Sequence, residues 1–370
     1  MNRLICRTCN RDYDLGEPLW RCECGSLLDI EFEPRFNRKA IHERRPTLWR
    51  YREAIPIIDD RNIVTFDEGF TPLVEVVIAG RPVMIKEDNL FPTGSYKDRG
   101  ASVLISKTRE LGIGQVVEDS SGNAGCAIAA YCARAKIDCD ILVPEHTAAG
   151  KLAQIGLYGA RLHRIPGTRE DTAAAALRLS KETYYASHSW NPFFFHGTKT
   201  FAYEVCEQLG WRSPDTVILP AGNGTLLLGA HIGFTELFQS GITGNIPRLI
   251  AVQSDRCDPL YRAFRETLDS IPPVSPEPTL AEGIAIAEPI RGTQIIDAIR
   301  ETGGDVITVS DDELKASLKE ICRMGFYIEP TSAATTAGIE KYLHRSDPSE
   351  TVVSVLTGHG LKATEKMGLL

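Results

Sequence analysis

Phe91-Pro-Thr-Gly-Ser-Tyr-Lys97-Asp-Arg-Gly-Ala101 sets a single lysine between a turn and an apolar run. Pro92 and Gly94 mark the turn, and Ser95 reads as the N-cap of a helix whose apolar residues begin at Ala101. Lys97 then falls near the first helical turn. Helix starts usually carry acids, because the macrodipole makes that end positive, so a lysine there beside Arg99 is electrostatically out of place. The placement serves chemistry that needs a free amine, Schiff-base formation above all. A lysine taken by itself is usually a solvated one. The segments around it point elsewhere.

Upstream, apolar strands are expected at residues 69–73, 74–78 and 83–86. Downstream the sequence predicts helix 100–111, strand 115–118, helix 124–135, strand 139–143, helix 147–158, strand 161–165 and helix 169–182. A second set follows: helix 197–209, strand 216–220, helix 225–239 and strand 248–253. This alternation predicts an α/β protein with doubly wound parallel sheets. Four prolines between residues 271 and 278 mark a connector, and βα elements resume from Ile290.

Composition narrows the functional classes. The chain has 370 residues, enough for two domains with sizeable cores. A net charge of -8 leaves no basic surplus for a nucleic-acid partner held through phosphates. No apolar run is long enough to span a bilayer, and residues 1–6 lack the pattern of a signal peptide, so a cytoplasmic protein without a membrane partner is expected. Of 10 cysteines, four lie before residue 25. Cys6, Cys9, Cys22 and Cys24, followed by Gly25, form two close pairs suited to a structural, tetrahedral zinc in a small ribbon. Residues 31–60, rich in proline and arginine, read as a linker wrapping onto the next domain.

Two further segments complement Lys97. In Asp119-Ser-Ser-Gly-Asn-Ala124, a strand gives way to an alanine-rich helix. Backbone N–H groups and the hydroxyls of Ser120 and Ser121 can bind a carboxylate there, and Asn123 can hydrogen-bond a ring oxygen or imine. In Pro220-Ala-Gly-Asn-Gly-Thr-Leu226, a strand runs through glycines into a helix, which suits one phosphate. It lacks the lysine of a P-loop and the full dinucleotide fingerprint. Near the end of the chain, Glu329-Pro-Thr-Ser-Ala-Ala334 and Leu356-Thr-Gly-His-Gly-Leu-Lys362 put small polar residues at strand ends and helix starts, where ligands of open α/β sheets collect. Thr357 can exchange a hydrogen bond with a ring nitrogen. His359 is expected to cap the turn.

In this order the segments resemble the pyridoxal-phosphate enzymes of the tryptophan-synthase β family, and within it the threonine synthases. The resemblance runs from about Thr65 to Leu361, and an N-terminal ribbon occurs in one branch of that family. It rests on PTGSYKDRG around Lys97, SSGN at 120–123, NP at 191–192, KT at 199–200, the glycine loop at 222–225, AEGIA at 281–285, EPTSAA at 329–334 and TGHGLK at 357–362. It implies fold type II, with a zinc ribbon at 1–35, a large cofactor-binding domain at 36–96 and 205–370, a small domain at 97–204, and a homodimer. It implies that Lys97 is the catalytic residue and carries pyridoxal 5'-phosphate. Asn123 would contact the ring oxygen, Gly222, Asn223, Gly224 and Thr225 would hold the phosphate, and Thr357 would face the pyridine nitrogen. Ser120, Ser121, Asn191 and Lys199 would bind the amino-acid substrate. The implied reaction converts O-phosphohomoserine and water to threonine and phosphate.

Some positions depart from the family pattern. Where threonine synthases commonly continue Asn-Pro with x-Arg-x-Glu-Gly-Gln-Lys-Thr, this chain has Phe193-Phe-Phe-His-Gly-Thr-Lys-Thr200, with Phe194 at the arginine position. Arginine is the side chain best suited to bidentate phosphate capture. The alternative expectation is therefore β-replacement or β-elimination on phosphoserine or serine-type amino acids.

Overall fold

A computed structural model describes residues 2–367. Its strands, in chain order, are β1 (Arg3–Cys6), β2 (Asp12–Asp14), β3 (Leu28–Glu31), β4 (Leu73–Ile78), β5 (Arg81–Lys86), β6 (Gln115–Glu118), β7 (Asp138–Pro144), β8 (Arg161–Ile165), β9 (Tyr184–Tyr185), β10 (Thr216–Pro220), β11 (Arg248–Ser254), β12 (Asp305–Val309) and β13 (Val352–Val355). The chain forms two compact units, Met1–Gly69 with Lys97–Thr198, and Phe70–Tyr96 with Lys199–Leu370. Among the described residues no helix is long and apolar enough to cross a membrane.

The first unit carries two sheets. One is an antiparallel three-stranded sheet, β2-β1-β3. The other is fully parallel, in the order β8-β7-β6-β9. In β7 the run Cys139–Val143 is buried throughout, as a parallel strand covered on both faces requires. The alanine-rich helix Asn123–Ala135 packs into the same apolar core as the ribbon residues Leu4, Tyr13, Trp20 and Leu28. Trp20 meets Tyr185 and Trp190 edge-on, with ring centroids 5.0 and 5.6 Å away. The ribbon is thus part of this unit's core.

Residues 36–69 also belong here and not, as the resemblance implied, with 205–370. Leu48, Trp49, Ile55 and Ile57 cluster with Val103 of the helix Lys97–Glu110. Trp49 Nε1 donates to Ser102 Oγ at 3.0 Å, and Val64 N donates to Ser106 Oγ at 2.8 Å. The charged, proline-rich composition hid these anchors. It also hid a short helix, Arg38–Glu43, capped by Asn37.

The second unit holds a six-stranded sheet in the order β12-β11-β10-β13-β5-β4, parallel except for the antiparallel pair β4–β5. Expected strands 115–118, 161–165 and 216–220 and helix 225–239 coincide with the observed elements. The expected helix 197–209 is instead two, Pro192–Thr198 and Thr200–Gln208, separated at Lys199. Residues 69–72 are not strand, and β4 begins at Leu73. The helix that follows Tyr96 starts at Lys97 itself, three residues earlier than expected.

Candidate active site

Ser95 does not cap the helix that opens at Lys97. Its hydroxyl is buried with no hydrogen-bond partner. Its backbone instead bridges to Gly358, and the surrounding turn is laced to the segment after β13. Tyr96 N donates to the Thr357 carbonyl at 3.0 Å, His359 N donates to the Gly94 carbonyl at 2.9 Å, and Lys362 Nζ donates to the Thr93 carbonyl at 2.9 Å. His359 turns its side chain to accept from Leu361 N, the capping role expected for it. These contacts hold Tyr96, the residue immediately ahead of Lys97, within the second unit.

The glycine loop follows β10. Gly224 adopts the left-handed region at φ +64° directly before the helix Thr225–Gln239, and a Cβ there would lie 2.3 Å from Ile295 Cδ1. A Cβ on Gly222 would come within 2.9 Å of the Ile284 backbone. Only glycine fits both positions. No side chain caps this 15-residue helix, so its start presents backbone donors of the kind that suit a phosphate. The Thr225 hydroxyl lies 2.8 Å from the Tyr96 phenol. Thr357, two residues beyond β13, is buried with its hydroxyl 2.9 Å from that of Ser332. The second unit therefore ties Tyr96 to both Thr225 and Thr357. A cofactor phosphate fits the glycine cradle, and a ring nitrogen fits the Thr357 hydroxyl.

In the first unit, Ser120 and Ser121 lie between β6 and the helix that begins at Asn123. Ser120 Oγ accepts from Gly122 N at 3.3 Å, and no side chain caps the helix. A Cβ on Gly125 would fall 1.9 Å from the Ser120 carbonyl, so this loop sits hard against the helix backbone. Beside it, at the end of β6, buried Glu118 pairs with His188 at 2.6 Å. Burial pushes Glu118 well above the usual carboxylate range, the Asp119 charge adding to the effect and Lys97 opposing it. Burial, then the charges of Lys97 and Arg169, push His188 well below the usual imidazole range. Burial thus disfavours the charged form of each member of the pair. The Lys97 ammonium lies 5.6 Å from the centre of the Phe194 ring, within cation–π range. Phe194 is fully buried against Gly100, where a Cβ would lie 2.3 Å from the ring.

Two residues expected to bind substrate are engaged otherwise. Asn191 is fully buried; its Nδ2 donates to Tyr184 OH at 2.8 Å and to the Tyr185 carbonyl at 3.3 Å, and its Oδ1 accepts from Phe193 N. It holds the start of the helix Pro192–Thr198, a structural role that the Asn-Pro pairing did not reveal. Lys199 is buried and ion-paired with Glu236 at 2.8 Å, which also accepts from Tyr203. Tyr96, Ser332, Glu118 and His188 escaped the sequence reading. Ser332 lay inside a quoted motif, and Glu118 stands at the carboxyl end of a strand, where the general rule for open sheets would have pointed to it.

The ribbon brings its four thiols together. Cys6, Cys9, Cys22 and Cys24 place their sulfurs within 4.8 Å of one another. The Cys6–Cys24 and Cys9–Cys22 separations are each 3.6 Å, close to the edge of about 3.8 Å expected for a tetrahedron with bonds of ~2.3 Å. Against the cost of burial, N–H donors from Cys9 and Thr8 bring the Cys6 thiol down to about 6. The donor set fits a thiolate-bound divalent metal.

Comparison with known proteins agrees with this geometry. The family described as "Pyridoxal-phosphate dependent enzyme" matches residues 64–358. The chain is 37% identical to threonine synthase of Methanocaldococcus jannaschii, with 96% of this chain and 92% of that protein covered. It is 34% identical to threonine synthase of Methanosarcina acetivorans, with 98% and 92% covered. Among solved structures, the processed form of threonine deaminase isoform 2 from Solanum lycopersicum superposes with a TM-score of 0.71 at 20% identity, covering 93% of this chain and 91% of that one. Serine racemase from Dictyostelium discoideum superposes with a TM-score of 0.65 at 26% identity, covering 79% and 92%. Both show the shared fold.

Proposed function

The chain belongs to the pyridoxal-phosphate dependent enzyme family, and on that premise we propose that it is a lyase of the threonine-synthase type acting on O-phosphohomoserine and water to give threonine and phosphate. The observation that carries the reading is the double tie of Tyr96, to Thr225 at the glycine loop and to Thr357, immediately ahead of Lys97. Lys97 would carry the cofactor, Gly222–Thr225 would hold its phosphate, Thr357 would meet its ring nitrogen, and Asn123 its ring oxygen. When bound, pyridoxal phosphate supplies an electron sink for negative charge developing at the substrate's Cα. The Lys97 amine would move a proton to and from that carbon. Ser120 and Ser121, with the uncapped helix start behind them, take the substrate carboxylate. The four ribbon cysteines hold a structural zinc.

Phe194 favours a second reading. A buried ring at a position where arginine is common in threonine synthases removes one partner for a substrate phosphate. Under that reading the chain carries out β-replacement or β-elimination on phosphoserine or a serine-type amino acid. Assaying the purified protein with O-phosphohomoserine and with O-phosphoserine, following phosphate and amino-acid products together, separates the two. Phosphate and threonine in equal amounts from O-phosphohomoserine support the first reading. Phosphate without threonine, or turnover of O-phosphoserine alone, overturns it.

A further inference from the structure

We propose that Ser332 is a positioning residue that fixes which way Thr357 points its hydroxyl proton, and through it keeps the cofactor's ring nitrogen unprotonated. The proposal rests on the reading of Thr357 as the partner of that nitrogen. A serine hydroxyl has one proton to give and two lone pairs to receive. Both lone pairs of Ser332 are taken, by Thr357 N at 2.9 Å and Gly358 N at 3.1 Å. Its proton has two acceptors in reach, Thr357 Oγ1 at 2.9 Å and the Gly358 carbonyl at 3.5 Å. The shorter contact wins, the more so because the Gly358 carbonyl already accepts from Glu329 N at 2.9 Å.

Thr357 Oγ1 is therefore an acceptor toward Ser332, and its own proton must point elsewhere. The nearest protein acceptor is Glu329 Oε1 at 3.5 Å, too far to hold it firmly. Thr357 is left as a hydrogen-bond donor to a ligand. A donor hydroxyl is satisfied by a bare ring nitrogen and repelled by a protonated one, whereas a carboxylate at the same place would favour the protonated ring. Ser332 is wholly buried and Thr357 almost so, so these contacts and not solvent set the direction of the two hydroxyls. Gly358 leaves room for the Glu329 carboxyl group beside them, since a Cβ there would lie 2.3 Å from its carboxyl carbon.

The test loads the full-length chain with pyridoxal phosphate enriched in nitrogen-15 at the ring position and records the ring-nitrogen resonance by NMR. The wild type gives the resonance of an unprotonated ring nitrogen. Ser332→Ala frees Thr357 to accept, and the resonance moves toward the protonated form; Ser332→Thr, which keeps a hydroxyl, retains the wild-type position. A merely structural role would lower occupancy without moving the resonance. If Ser332→Ala does not hold cofactor, Ser332→Cys, whose thiol is a weak donor, carries the same expectation. A fully loaded Ser332→Ala or Ser332→Cys protein with the wild-type resonance overturns the proposal, as does a protonated ring nitrogen in the wild type. Failure of the underlying assignment is a different result: a wild-type chain that retains no cofactor.

Discussion

The phenol of Tyr96 lies 2.8 Å from the hydroxyl of Thr225, so the residue immediately ahead of Lys97 is bonded to the first residue of the helix behind the glycine loop. The peptide between Tyr96 and Lys97 is also where the chain passes from one compact unit to the other. One aromatic hydroxyl thereby anchors Tyr96 beside the proposed phosphate cradle within the second unit. Tyr96→Phe removes that bond and little else. It is expected to weaken pyridoxal-phosphate binding about fivefold, the equivalent of roughly 1 kcal/mol, without changing the fold. Titration of the cofactor-free protein, followed by absorbance, measures it, and an unchanged affinity would leave the Tyr96–Thr225 contact without a role in binding.

Phe194 and Gly100 are matched in shape. A methyl group on Gly100 would meet the ring at 2.3 Å, so Gly100→Ala is expected to cost about 1–3 kcal/mol in denaturant unfolding. Phe194→Leu in the same chain should recover part of that loss, because the ring edge is what the new methyl strikes. Strictly additive losses in the double variant would mean that the two residues do not share this contact.

The Glu118–His188 pair makes stability depend on pH in a stated direction. Glu118 is raised above its unfolded range, so its contribution is fully present in acid and is lost as pH rises through its elevated folded value. Glu118→Gln keeps a neutral hydrogen-bonding group and removes the ionisation. The variant should gain in Tm relative to wild type between pH 6 and pH 9 by an amount that grows with pH, about which thermal melts in matched buffers decide. A difference that is flat across that range would show that Glu118 keeps no unusual proton.

The ribbon's contribution is tested by its metal. Purified protein is expected to hold one zinc per chain, and Cys6→Ser to lose it. Because Trp20 inserts the ribbon against Tyr185 and Trp190, metal loss should also lower the melting temperature of the unit that carries Asn123. Elemental analysis together with thermal melts follows both, and a metal-free Cys6→Ser protein with wild-type stability would separate the ribbon from the core.

Much of the fold was legible because parallel strands buried on both faces read as short apolar runs, and the turn chemistry between them is carried by glycine and proline. β6 and β10 fall where that pattern put them, and the exposed edge strand β8 falls where the βα alternation put it. The misreadings have physical causes. Lys199 breaks a helix that composition alone made continuous, and the anchors Leu48, Trp49 and Ile55 lay in a stretch dominated by charge. At the site, the glycine positions were readable because sterics leaves no other residue there. Asn191 and Lys199 were not, since their partners Tyr184 and Glu236 are distant or unmarked in sequence. Ser332 illustrates the limit: only the hydrogen-bond geometry around Thr357 distinguishes it from any other small residue at a helix start.

The central claim is that the Lys97 side chain carries the cofactor, and borohydride reduction of the loaded protein followed by peptide mass spectrometry tests it most directly. The account predicts a pyridoxyl adduct on the peptide containing Lys97, and a Lys97→Ala protein that folds, takes no adduct and has no turnover. An adduct on another lysine with Lys97 unmodified, or near wild-type turnover in Lys97→Ala, would contradict it.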